Sequence, residues 1–189
     1  LTDSSAASDV YKRQVHDIGD GVMCIEFQTK GNSIGEGIAK GIIEAIDIAE
    51  KDGWNGIVIG NNDKQFSVGA NLMNMGMMAM QKNFDEIEKF LVGFQKILMR
   101  MRTCNVPVVS ATHGFVLGGG LEVSIHCDAG IHASESYIGL VEAGVGLIPG
   151  GGGTKEMAMR ASDSFNSGDV KMPSLIAVSY THLTLPTSR

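Results

Sequence analysis

The feature that most constrains this chain is a glycine run that joins an apolar strand to a short helix. Residues 106–111 are typical of a buried strand and residues 119–127 of a short helix, with the glycine triplet 118–120 at their junction. Glycine lets the main chain come close to a ligand. The first amides of a helix have no intrahelical acceptor and lie at the positive end of its dipole. The junction therefore favours a developing negative charge, and Glu122 supplies a carboxylate one turn inside the helix.

A second glycine loop follows another predicted strand. Residues 56–60 are typical of a buried strand, and the loop 61–71 after it contains Gly69, which again opens a close approach to backbone. The amide of the next residue, Ala70, is a candidate second donor of an oxyanion pair.

A third segment supplies a second carboxylate. Residues 137–142 read as an apolar strand end that finishes at Glu142, and the glycine-rich turn 143–154 follows. The position predicts that Glu142 is half-buried with a raised pKa. Together with Glu122 and the two amides, it would complete an acid/base and oxyanion site.

These separated segments, in this order over residues 19–160, resemble the crotonase superfamily, and within it the enoyl-CoA hydratase branch, which keeps both glutamates. Within the family, residues 18–22 and 139–149 most resemble the hydratase portion of bacterial proteins in which it is fused to a 3-hydroxyacyl-CoA dehydrogenase. One departure is Asn71, where many members of the family have Asp.

The resemblance implies a role for each site residue. The amides of Ala70 and Gly119 would hold the thioester oxygen as it becomes an enolate, and Glu122 and Glu142 would handle the water and the proton. Gly150 would place a backbone group near the water. The expected substrate-binding residues are Phe66, Gly69, Gly118, Met73 and Met77. The family implies no metal or redox cofactor, since coenzyme A belongs to the substrate.

The methionines after the Ala70 loop have two interpretations. Met73, Met77 and Met80 share one helical face, which suits either a soft wall for an acyl chain or ordinary core filling. The sequence does not decide between them.

The order of elements predicts an α/β fold. Strand 22–27 follows a 19–21 turn, an apolar periodicity from Ile34 with Ser33 as a possible cap predicts a helix ending near 52–53, and another helix runs from Asn83 to about Arg102. Helices packed on a sheet follow from this alternation. The spiral of repeated ββα units, truncated at its C-terminal end, is implied by the family.

The two ends depart from this pattern. Residues 1–14 and 178–189 are polar or aperiodic and resemble translated adapter sequence, so we expect the partial hydratase domain to span 15–177.

The net charge of −6 without a Lys/Arg cluster disfavours a nucleic-acid surface. The three cysteines suit a reducing compartment, and no apolar span or leader indicates a membrane, so the expected location is the cytoplasm. Expected partners are an acyl-CoA thioester and either a homo-oligomer or a fused dehydrogenase domain.

Alternatives remain beside the hydratase. An enoyl-CoA isomerase of the same fold needs only one proton-shuttling carboxylate, and a non-catalytic CoA-binding fragment needs none. Glycine runs also suggest a nucleotide site, but 144–149 lacks the last glycine of a dinucleotide fingerprint, and Thr154-Lys155 reverses the phosphate-loop order. His126, Cys127 and His132 resemble metal ligands, yet a short helix and a strand would scatter them.

Overall fold

The fold is a parallel sheet with one antiparallel edge strand and helices packed against it. A computed structural model describes residues 13–166. The strands are β1 (Arg13–Asp17), β2 (Val22–Phe27), β3 (Gly56–Gly60), β4 (Val108–Thr112), β5 (Phe115–Leu117), β6 (Ala129–His132) and β7 (Tyr137–Gly139). The helices are α1 (Glu36–Asp52), α2 (Leu72–Met80), α3 (Phe84–Thr103), α4 (Gly119–His126) and α5 (Gly153–Asn166).

Five strands form the main sheet in the order β1-β2-β3-β4-β6. The β1–β2 pair is antiparallel and closes the predicted turn at 19–21, whereas β2, β3, β4 and β6 are mutually parallel. A second sheet pairs β5 with β7 in parallel. Parallel neighbours need crossover connections, and the helices supply them, so the predicted α/β class is confirmed.

The core lies between the main sheet and helices α1 and α3. Alternate residues of β2, Met23, Ile25 and Phe27, are buried with the inner face of α1. Ile38, Ile42 and Ile46 recur at helical spacing on that face, as the sequence predicts.

The start of α1 differs from the sequence expectation. Ser33 does not cap α1: the cap residue is Gly35, and Ile34 lies outside the helix, where it bridges to Ala70. The preference for Ser at a cap gives way here because the chain first pairs with the Ala70 loop. At the other end, α1 stops at Gly53 in the left-handed conformation, as expected.

The expected tails lie outside the described residues, except for Arg13 and Gln14. These two residues pair with Phe27 and Glu26 in the β1–β2 hairpin. Strand pairing therefore includes two residues that we expected in the N-terminal tail.

Candidate active site

The Ala70 loop is aligned with the glycine junction by a strand-like bridge. Ser67 pairs with Val116 of β5, its N–H donates to Phe115 O, and its carbonyl accepts from Leu117 N–H at 3.0 Å. Three residues farther along both segments, this register brings Ala70 beside Gly119. Two loops that are far apart in sequence thus present their amides side by side.

Glycine is required at this junction for two separate reasons. Gly69 has φ +90°, and a Cβ there would lie 2.7 Å from Leu117 O and 2.9 Å from Gly119 N. Gly118 also has a positive φ of 52°, and a Cβ there would lie 3.2 Å from Glu142 Oε1. Side chains at either position would push the amide-bearing segments or the glutamate away.

The amides of Ala70 and Gly119 are available to a ligand. Their neighbours make the local backbone bonds: Asn71 N–H donates to Ile34 O, and Gly118 N–H donates to Gly139 O. Within residues 13–166, the backbone bonds of this junction use neither the Ala70 nor the Gly119 amide. Gly119 is the first residue of α4, so its amide has no intrahelical acceptor.

One cavity collects both amides and both carboxylates. Ala70, Gly118, Gly119, Glu122, Glu142 and Gly150 all line it, and apolar side chains from α2 and α3 complete its wall. A larger cavity, of about 340 Å³ against about 100 Å³, lies between α4, β6 and α5, but neither glutamate lines it. The smaller cavity is therefore the one that holds the predicted acid/base and oxyanion groups.

Glu122 lies in α4, and its buried carboxylate faces the start of helix α5. It is 2% exposed, and its Oε1 accepts a hydrogen bond at 2.9 Å from the N–H of Gly153, the first residue of α5. Burial raises the pKa of Glu122 to about 7, assisted by the charge of Glu142 and opposed by backbone N–H groups of Gly151–Gly153. Near neutral pH this group can therefore either give or take a proton.

Glu142 has the half-buried position that the sequence predicts. It begins a 3-10 turn at 142–145, and burial raises its pKa. Its Oε2 is buried without a hydrogen-bond partner among residues 13–166. Buried carboxylate oxygens are nearly always paired, so this atom is suited to a ligand or a water in the cavity.

Gly150 lines the same cavity, and its carbonyl accepts a hydrogen bond from Gln95 Nε2 at 2.6 Å. The side chain of Gln95 therefore fixes this backbone group at the cavity wall. Contact between Gly150 and a water stays a prediction.

Of the five expected substrate-binding residues, only Gly118 lines the cavity; Gly69, Phe66, Met73 and Met77 do not. Phe66 is fully buried and packs against Phe27, with ring centroids 6.3 Å apart, so it is a core residue. Met73 and Met77 are 77% and 51% exposed, and neither lines the cavity nor fills the core. The opposite face of α2, with Leu72 and Met75, forms the wall instead.

The metal alternative finds no support in the described part of the chain. No group of three or more His, Cys, Asp or Glu side chains among residues 13–166 is placed to hold a metal ion. His132 Nδ1 instead contacts Thr112 Oγ1 at 2.6 Å, and Cys127 is a buried free thiol.

Two neighbouring backbone amides with one buried and one half-buried carboxylate, all at one cavity, are the arrangement expected of an acid/base site beside an oxyanion-binding position. Comparison with known proteins agrees with that class. The family model for enoyl-CoA hydratase/isomerase matches residues 17–169, so the chain belongs to this family.

Several relatives are similar to the chain. A Bacillus subtilis (strain 168) protein named "Probable 3-hydroxyacyl-CoA dehydrogenase" is 44% identical over 141 residues, covering 75% of this chain and 18% of that protein. The short-chain-enoyl-CoA hydratase of Clostridium acetobutylicum is 36% identical, over 54% of this chain and 38% of its own length. This chain thus spans well under half the length of these relatives.

Solved structures show the same fold. The enoyl-CoA hydratase from Bacillus anthracis has a TM-score of 0.76 at 22% identity, covering 90% of this chain and 62% of that one. An enoyl-CoA hydratase from Polaromonas sp. JS666 has a TM-score of 0.74 at 25% identity, covering 80% and 61%. The crotonase-like fold is confirmed, and this chain covers about three fifths of the length of these two structures.

Proposed function

We propose that the chain is an enoyl-CoA hydratase that adds water across the 2,3 double bond of an enoyl-CoA thioester. The observation that carries this proposal is the convergence of Glu122, Glu142 and the amides of Ala70 and Gly119 on one cavity. Hydration needs a place for the enolate oxygen and two proton-handling groups, and this cavity offers both.

In the proposed reaction the thioester oxygen accepts hydrogen bonds from the Ala70 and Gly119 amides. One glutamate takes a proton from water, the water oxygen bonds to C3, and the electron pair of the double bond moves toward C2 as the oxygen gains charge. The other glutamate then gives its proton to C2, so the atoms of one water are added overall. Each amide donor would supply about 3 kcal/mol of transition-state stabilisation.

The raised pKa values of Glu122 and Glu142 are suited to a reaction in which one carboxyl group acts as base and the other as acid. Burial raises the pKa of both carboxyl groups, and together with the charge of Glu142 it brings the pKa of Glu122 to about 7, so Glu122 exchanges its proton near neutral pH. One carboxylate is then free to act as base while the other acts as acid. No cofactor is needed beyond the coenzyme A of the substrate.

The test is turnover of crotonyl-CoA, followed by loss of the enoyl absorbance. Glu122→Gln and Glu142→Gln should each lower kcat by at least about a hundredfold while leaving CoA-ligand binding nearly unchanged. Glu135→Gln, at an exposed side chain, is the matched control and should behave like the unaltered chain.

Two other outcomes would change the proposal. Isomerisation of a 3-enoyl-CoA without hydration, surviving the loss of one glutamate, would make the chain an isomerase. Binding of an acyl-CoA with no turnover by the unaltered chain would leave a CoA-binding fragment.

We further propose that this hydratase serves fatty-acid β-oxidation as part of a longer protein with a 3-hydroxyacyl-CoA dehydrogenase region. The name and length of the Bacillus subtilis relative support this.

A cytoplasmic location is supported by three free cysteines, Cys24, Cys104 and Cys127. No helix within residues 13–166 is long and apolar enough to span a membrane. The uninterrupted reading frame around residues 15–177 tests the fusion, and sedimentation of its product tests a homo-oligomer.

A further inference from the structure

A buried ionic cluster that the proposed reaction does not use lies next to Glu122. It comprises His126 of α4, Arg102 of α3, and Lys155 and Glu156 of α5. His126 and Glu156 are 1% and 0% exposed. None of the four lines the cavity that holds the glutamates.

The cluster is joined to Glu122 through the main chain. His126 Nδ1 lies 2.7 Å from the carbonyl oxygen of Glu122. A carbonyl only accepts, so Nδ1 must carry the hydrogen of this bond. The other ring nitrogen, Nε2, then faces Glu156 Oε1 at 3.5 Å.

Glu156 is held in turn by cations from two helices. Arg102 contacts its Oε2, and Lys155 Nζ lies 3.2 Å from its Oε1. Neither His126 Nε2 nor Glu156 Oε1 has a hydrogen-bond partner among the described residues. Burial lowers the pKa of His126, so the ring is neutral near pH 7 and packs beside Glu156 without an ionic bond to it.

Helix α5 therefore contacts Glu122 directly at Gly153 and indirectly through His126. Gly153 holds the carboxylate through its N–H, and Glu156, three residues later, faces the imidazole that bonds the Glu122 carbonyl. A side chain fixed at its backbone and at its tip has little freedom to leave a reactive position.

We propose that His126 is a positioning residue for Glu122: its Nδ1–H bonds the Glu122 carbonyl, and its ring packs beside Glu156 of α5, the helix that also holds the Glu122 carboxylate. The proposal rests on the proposed hydratase function, because it takes Glu122 to be one of the reacting acids. His126 touches no substrate in this scheme and acts only through Glu122.

The variants that test it separate the hydrogen bond from the packing. His126→Leu fills the space without a donor, whereas His126→Asn retains a nitrogen attached to Cγ, where Nδ1 stands. We expect kcat to fall about tenfold or more in His126→Leu with KM within about twofold, and His126→Asn to recover kcat to within about threefold. His132→Leu is the matched control and should not alter kcat, since its ring contacts Thr112 away from the site.

A second measurement does not need turnover. Nitrogen NMR of the full chain should show His126 as the Nδ1–H tautomer, and carbon NMR should show the Glu122 carboxyl titrating differently in His126→Leu. The charged groups that face His126 are Glu156 and Lys155 on α5 and Arg102 on α3, and Glu142 is the charged group that faces Glu122. The histidine variants change none of these four side chains.

The two proposals fail differently. An inactive but folded unaltered chain would end the hydratase proposal and leave the Glu122 titration to decide the positioning role. An unchanged titration in His126→Leu, an Nε2–H tautomer, or equal loss of kcat in the folded Leu and Asn variants would overturn the role of His126. If His126→Leu does not fold, the tautomer and the Asn variant still decide it.

Discussion

Glu122 Oε1 accepts a hydrogen bond at 2.9 Å from the N–H of Gly153, although Glu122 lies in the first turn of α4 and Gly153 is the first residue of α5. The positive end of the α5 dipole thus faces a carboxylate that burial drives toward the neutral form. These opposing effects leave the group poised to exchange a proton near pH 7.

The stability of the chain should fall as the pH rises from about 4.5 to about 7. The folded pKa of Glu122 is raised from 4.5 to about 7, so in this window the folded chain keeps a proton that the unfolded chain has lost. The loss from this group amounts to about 3 kcal/mol. Urea unfolding at pH 5 and pH 8 measures it.

The control for that titration is Glu122→Gln, which removes the group and should flatten the slope by this amount. Glu142 contributes in the same direction in both chains, since burial also raises its pKa. The same pH slope in both chains would contradict the raised pKa of Glu122.

Gly151→Ala should displace Glu122. A Cβ at Gly151 would lie 2.6 Å from Glu122 Oε2 and 2.6 Å from Phe94 Cε1, so one of them must move. We expect a loss of kcat of about a hundredfold, since small displacements of a reacting group cost this much. Gly93→Ala is the matched control: its Cβ meets nothing within 4 Å on the α3 surface, and it should stabilise the helix by about 1 kcal/mol.

Gly69→Ala separates backbone strain from loss of the amide pair. Gly69 and Gly19 have φ of +90° and +94°, so alanine is strained at both, but only at Gly69 would the Cβ meet Leu117 O and Gly119 N. Both variants should lose about 1 kcal/mol or more of stability from strain. Only Gly69→Ala should lose turnover, and equal kcat in the two variants would contradict an amide pair at Ala70 and Gly119.

Sequence patterns predicted the parts of this fold that local chemistry determines. Strands 22–27 and 56–60 have the predicted bounds, because continuous apolar runs between turn residues leave little choice. The stop of α1 at Gly53 follows from one left-handed glycine. Glu122 and Glu142 are predicted as site residues because each lies beside a glycine-rich turn, and both line one cavity in the fold.

What the sequence missed depends on tertiary contacts. Periodicity alone could not tell which face of α2 meets the cavity, so Met73 and Met77 were chosen where Leu72 and Met75 form the wall. Phe66 was expected to contact a ligand because it lies in the loop 61–71, but its ring is fully buried against Phe27 of the sheet. Helix α5 and the ionic cluster were missed, since a buried Glu156 is recognisable only once Arg102 and His126 are seen beside it.

Glu156→Gln should destabilise the chain far more than the loss of an exposed pair. Glu156 is fully buried, and its removal leaves Arg102 and Lys155 facing buried His126 without an anion. We expect a loss of about 2 kcal/mol, below the usual value for a broken buried pair because both cations reach solvent. Glu36→Gln is the matched control: its i,i+4 pair with Lys40 is 2.8 Å long but mostly exposed, so its free energy of unfolding should hardly change. Equal urea midpoints for the two variants would mean that solvent screens the cluster as fully as the surface pair, and that Glu156 does not hold α5 against α3.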